Sequence, residues 1–215
     1  MKVLSAIVSG LLCTTGLLAA ATTRAQQGPP MGGPPMSTKP ATITSTLDMQ
    51  LTIEEHEIEG AADAMPEDKY SFAPTNGNFA GVRTFAQEVK HIATTNDRFF
   101  GGILGQPPAT PASQFEAENG PDSIQTKAQI MQYLKDSFAL GHKAIATINA
   151  DNAFVAMEKP PVPFLRTPAA IVIFDCAHSM DHYGQMVEYL RDNGIVPPAS
   201  RQRPPANPPG QSGHR

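Results

Sequence analysis

Four stretches of the chain place apolar side chains at spacings of three and four. In Ile43–Met65 they are Leu47, Leu51, Ile58 and Ala62, and Pro66 follows the end. In Phe79–Leu104 a stripe runs through Val82, Phe85, Val89, Ile92, Phe99 and Ile103, closed by Gly105 and the Pro107–Pro108 pair. In Asp122–Ala150 the face is Ile130, Leu134, Phe138, Ile145 and Ile148. The last stretch, Thr167–Asn193, opens on an N-capping threonine with Pro168 at the first helical position, and closes on Gly194 and Pro197. This is the period of the α-helix, and strand-like alternation is nearly absent. The pattern predicts an all-α fold, a four-helix bundle over residues 43–198. The links at 66–78 and 151–166 are long enough to cross the bundle, so a simple up-down-up-down order does not follow.

Outside these stretches the pattern stops. Residues 1–25 read as a secretory signal peptide: Lys2, a mostly apolar run from Val3 to Leu18, then small residues. Cleavage after Ala25 puts Thr23 and Ala25 at the −3 and −1 positions; cleavage near Ala21 is a second option. The run is short for a membrane span, and Leu12 stands where a lipoprotein would carry a small residue before Cys13. The expected product is therefore exported, periplasmic or extracellular, with no stable membrane insertion once the signal is removed. Residues 26–42 read as a Pro/Gly-rich linker and 199–215 as a disordered Pro-rich tail.

Composition narrows the function. The chain of 215 residues carries a net charge of −4, and loss of Lys2 and Arg24 with the signal makes it −6. No run of Lys or Arg offers a basic face, which excludes nucleic acid as a partner. A small-molecule substrate is the remaining partner class, and a homodimer is open to such a bundle. Signal removal also takes Cys13 and leaves Cys176 alone, so no internal disulfide holds the fold.

The candidate chemistry lies in "CAHSMDHYGQMVEYLRDNGIVPP", Cys176 to Pro198. His178 and His182 are four residues apart and share one helix face, mid-helix, with Ile171, Phe174, Gln185 and Tyr189. Two imidazoles at the centre of such a face are costly unless both are paired, and a metal ion pairs both at once. A hydrogen-bonded or solvent-facing pair is the plainer alternative. A third ligand would come from a facing helix. His91, in "FAQEVKHIATTNDRFF", is the best placed; His56 and His142 are rivals, although His56 sits among acids and His142 lies near an edge.

These segments resemble the DinB-like superfamily of four-helix-bundle metalloproteins. The His-x3-His of His178 and His182 is followed by Gly184-Gln185, Leu190-Arg191, Gly194 and Pro197-Pro198 in the family's order. "MPEDKYSFAPT" (Met65–Thr75) and "TFAQEVKHIA" also resemble the family, the second aligning His91 with its first metal histidine. Tyr183 departs from the pattern, standing where relatives often carry arginine. The resemblance spans about 43–198. It implies one divalent metal ion, zinc or nickel, held by His91, His178 and His182, and an activity of the metal-dependent hydrolase or thiol-dependent transferase kind.

Such a site would acidify a water or a thiol and so supply a nucleophile. Gln185 could orient a ligand or simply bridge helices. Glu88, one turn before His91, could act as general base, support a ligand from behind, or be a solvated face residue. An oxidising exterior is poor in small thiols, so an exported member would use water or meet some other nucleophile. A metal-binding stress-related protein without turnover is the alternative reading.

Overall fold

The computed structural model describes residues 40–107 and 118–201. The signal peptide, nearly all of the linker and most of the C-terminal tail read from the sequence lie outside the described residues. Four helices carry the fold: α1 (Ile43–Ala64), α2 (Phe85–Ile103), α3 (Lys127–Ile145) and α4 (Pro168–Asp192). Among the described residues there is no strand, and no helix is long and apolar enough to cross a membrane.

Each helix starts on a threonine. The hydroxyls of Thr42, Thr84, Thr126 and Thr167 accept from the backbone N–H three residues on. In the first three, the side chain of Ser45, Gln87 or Gln129 returns the bond to the threonine's own N–H. Each capping box satisfies two donors that a helix start otherwise leaves unpaired. This moves two expected boundaries. The second helix begins at Phe85, not Phe79, and the third at Lys127, not Asp122; Phe79 and Val82, placed on the apolar stripe by periodicity, are exposed. At its other end α3 stops at Ile145 rather than Ala150. The Asn149 side chain there accepts from the Asp151 N–H at 2.8 Å and turns the chain away. The C-terminal signals hold: Gly105 and Gly194 lie at φ +68° and +73°, and the residue after each donates back to a carbonyl five positions earlier.

Cross-helix contacts fix the directions. Lys127 Nζ, at the start of α3, reaches the Asp63 and Met65 carbonyls at the end of α1, so these helices are antiparallel. Lys90 Nζ, near the start of α2, donates to the carbonyls of Pro121 and Ile124, while Asn96 Nδ2 donates to Ser137 Oγ; α2 and α3 run together. Glu88 meets His182 and Phe99 meets Phe174, so α4 opposes α2. The order is up-down-down-up. Helices α1 and α2 each pack on α3 and α4, so α1 faces α2, and α3 faces α4, across the diagonals.

The core is apolar at both ends, with Leu51, Ile58, Phe85, Phe100, Phe138 and Ile145 fully buried. Its middle is polar. Glu54, Glu88, His91, Asn96, Ser137, Asp175, Ser179 and His182 are all buried. Burial of that many polar groups costs free energy unless they are paired, and the α2–α4 interface holds the most tightly paired of them.

Candidate metal centre

Helix α2 supplies Glu88 and His91; the antiparallel α4 supplies His178 and His182. The Nε2 atoms of His91 and His182 each lie 3.1 Å from Nε2 of His178. One ligating nitrogen from each ring lies within 4.8 Å of the others, and among the described residues these three histidines form the sole such group of His, Cys, Asp or Glu. Nitrogens bound to one ion at about 2.0–2.1 Å, at angles near the tetrahedral value or a little tighter, stand about 3.1–3.4 Å apart.

The opposite ring nitrogens explain why hydrogen bonding among the three cannot replace an ion. His91 Nδ1 lies 2.7 Å from the Glu118 carbonyl, and His182 Nδ1 lies 2.7 Å from Glu88 Oε2. Both partners accept only, so both Nδ1 atoms carry the proton and both Nε2 atoms present lone pairs. A proton on His178 Nε2 could satisfy one of those lone pairs and not the other. A cation satisfies all three. His178 Nδ1 is buried without a partner among the described residues. Its ring is oriented by packing, with Phe174 stacked at a centroid distance of 6.3 Å and an interplanar angle of 15°.

Electrostatics favour the neutral form of His91 and His178, the form in which an imidazole ligates. Burial, with the Arg83 charge nearby, pushes His91 down to about 3. Burial, then His182 and Arg83, pushes His178 down to about 4. Arg83 is held by Glu118 at 3.5 Å and by Asn119 Oδ1 at 2.8 Å.

The rival histidines lie elsewhere. His56 is exposed. His142 bridges α3 to α1, with Nδ1 at 2.6 Å from Asp48 and Nε2 at 3.2 Å from Glu55. Gln185 is half-buried; its Nε2 lies 3.3 Å from Asp181 Oδ2 and 3.5 Å from His182 Nδ1. The second contact is not a hydrogen bond in this tautomer, because Nδ1 carries the proton it gives to Glu88 and has no lone pair to accept from the amide. Glu88 is 1% exposed, so it is not a solvated face residue. Cys176 is buried on the face toward Glu54, and that burial pushes its thiol pKa up. The Glu118 carbonyl had no sequence signal, being a backbone atom in an aperiodic link.

A four-helix bundle whose interior gathers three imidazoles from two antiparallel helices defines a class of helical proteins built around a candidate metal site. The DinB superfamily model matches residues 50–186, and the chain belongs to that superfamily. No curated protein matches it. Among solved structures, an uncharacterised protein from Escherichia coli UTI89 is similar, at 11% identity and a TM-score of 0.56, over 74% of this chain and 99% of that one. At that identity the likeness is one of fold.

Proposed function

We propose that this chain is an exported metal-dependent enzyme that activates water, or a small thiol, at His91, His178 and His182. The observation that carries the reading is the convergence of three Nε2 atoms, two with lone pairs fixed by acceptors behind them. Three neutral imidazoles leave an ion its full charge and leave its remaining coordination to a small molecule. A divalent ion held there, zinc or nickel, lowers the pKa of a water or thiol that reaches it.

The chain's own residues do the rest. Glu88 holds the His182 tautomer and ring angle, and its charge strengthens that ligand. The Glu118 carbonyl does the same for His91. Gln185 borders the site from the next turn of α4 and is the side chain available to hydrogen-bond a bound molecule. Export favours water as the nucleophile, because small thiols are scarce outside the cytoplasm.

The test compares wild type with His182→Ala, after metal content is measured on both. Turnover of an ester or amide panel by wild type and not by the variant supports hydrolysis. Turnover only with an added thiol and an electrophile supports transfer. Stoichiometric metal with neither turnover assigns the chain to the non-catalytic binders. Export is tested by the intact mass of the secreted protein, expected to begin at Gln26.

A further inference from the structure

One wall of the site is aromatic and faces outward. Phe174 lies one turn before His178 on α4, stacks on its ring, and is 38% exposed. Phe164, from the link between α3 and α4, meets Phe174 edge-on at 5.8 Å and is 70% exposed. Phe99 of α2 closes the base at 5.9 Å from Phe174 and is buried.

The shelf is built, not loose. Beneath it Phe99, Val162, Leu165 and Ile171 form a small core separate from the main one. The link is clamped by a 2.7 Å bond from the Met157 N–H to the Arg166 carbonyl and by Arg98 Nη2 donating to the Pro161 carbonyl at 3.3 Å. Pro161 lies so close to α2 that a Cβ on Gly102 would come within 2.7 Å of it. A clamped link holding a phenylalanine out toward water leaves, among the described residues, apolar surface that a bound apolar group would cover. The stacking of Phe174 on the His178 ring puts that surface beside the candidate site.

We propose that Phe164 and Phe174 form the recognition shelf for an aryl group of the substrate. The inference rests on the metal reading above. One helical turn, about 5–6 Å along the axis, separates the Phe174 and His178 positions. A substrate with an aromatic ring two or three atoms from its reacting group spans that distance. This names compounds that carry an aryl group on a short arm as the substrate class.

The probes are acetohydroxamate, a bare metal-binding head group, and 3-phenylpropanohydroxamate, the same head with an aryl arm. Binding of each to the zinc-loaded protein is measured by calorimetry, with zinc content fixed by elemental analysis. Wild type is expected to prefer the aryl probe by about ten-fold or more. Phe164→Ala, at an exposed position, is expected to cut that preference to below about three-fold while leaving acetohydroxamate affinity unchanged. Equal affinities in wild type overturn the shelf and leave the metal reading standing. A preference that survives both Phe164→Ala and Phe174→Leu overturns its location. Failure to hold zinc overturns the metal reading and the shelf with it; zinc held with neither probe bound overturns the open coordination position and the shelf, and leaves a closed metal site.

Discussion

Glu88 Oε2 and His182 Nδ1 meet at 2.7 Å across the α2–α4 interface, and both side chains are buried. The carboxylate lies on the side of the ring away from the converging Nε2 atoms, so it acts on the centre through His182. Glu88→Gln keeps an acceptor oxygen but loses the charge. The expected result is zinc affinity weaker by about 10–100-fold, with the bundle intact. Competition with a chromophoric chelator reads it. Unchanged affinity would remove Glu88 from the site's support.

Asp175 is a second buried carboxyl, on the α1 side of α4. Among the described residues both of its oxygens lack a hydrogen-bond partner, and Glu54 on α1 faces it with one oxygen also unpartnered. Burial, and then the Glu54 charge, raise the Asp175 pKa well above the ordinary aspartate value. The native state therefore keeps a proton that the unfolded chain releases. Stability falls as pH rises through the window between the unfolded and folded pKa values. Asp175→Asn is expected to stabilise the bundle at pH 8 by about 1–3 kcal/mol, the scale of an unmet buried polar group. At pH 4 it should do much less. Urea midpoints at the two pH values decide it.

The bundle was legible because each helix carries its own period and stop signals, and the histidine pair because four-residue spacing forces His178 and His182 onto one face. The start of α2 was misread by following Phe79 and Val82, and that of α3 was placed early at Asp122, though Thr84-x-x-Gln87 and Thr126-x-x-Gln129 spell capping boxes in plain sequence. Glu88 was visible as a neighbour of His91 but not as buried, since burial is set by what α4 places opposite. The same limit hid Asp175, and it hid the exposure of Phe174, which periodicity put on the inner face. Helix α4 contacts both α1 and α2, so no single stripe describes it.

His142 ties α3 to α1 through Asp48 and Glu55. Burial works against its charged form, but the two carboxylates outweigh it and the pKa rises. The contribution is complete below the unfolded histidine value and is lost as pH climbs through the folded one. The site is partly exposed, so His142→Gln is expected to cost only about 0.2–1 kcal/mol at pH 5.5. The cost should be smaller at pH 9 and reduced by salt. A cost that grows with pH would contradict the assignment.

Two helical glycines should respond in opposite directions to alanine. At Gly141 a Cβ would lie 2.7 Å from Leu51 Cδ2 and 2.8 Å from Phe100 Cε2. Both neighbours are fully buried and belong to two other helices, so neither can swing away without moving the packing of α1 or α2 against α3. Alanine gains about 1 kcal/mol of helix propensity over glycine, against an overpacking penalty of about 1–3 kcal/mol. The bundle is tight on both sides there, so Gly141→Ala should be destabilising on balance, with the midpoint of thermal unfolding lower by a few degrees. At Gly184, on the exposed side of α4, a Cβ would meet nothing within 4 Å. The propensity gain stands alone there, and Gly184→Ala should raise stability by about 0.5–1 kcal/mol. Zinc affinity should be untouched in Gly184→Ala, since His182 keeps its helical position and its bond to Glu88. Shifts of opposite sign in the two melting curves would show that close approach of three helices, rather than glycine's flexibility, fixes residue 141.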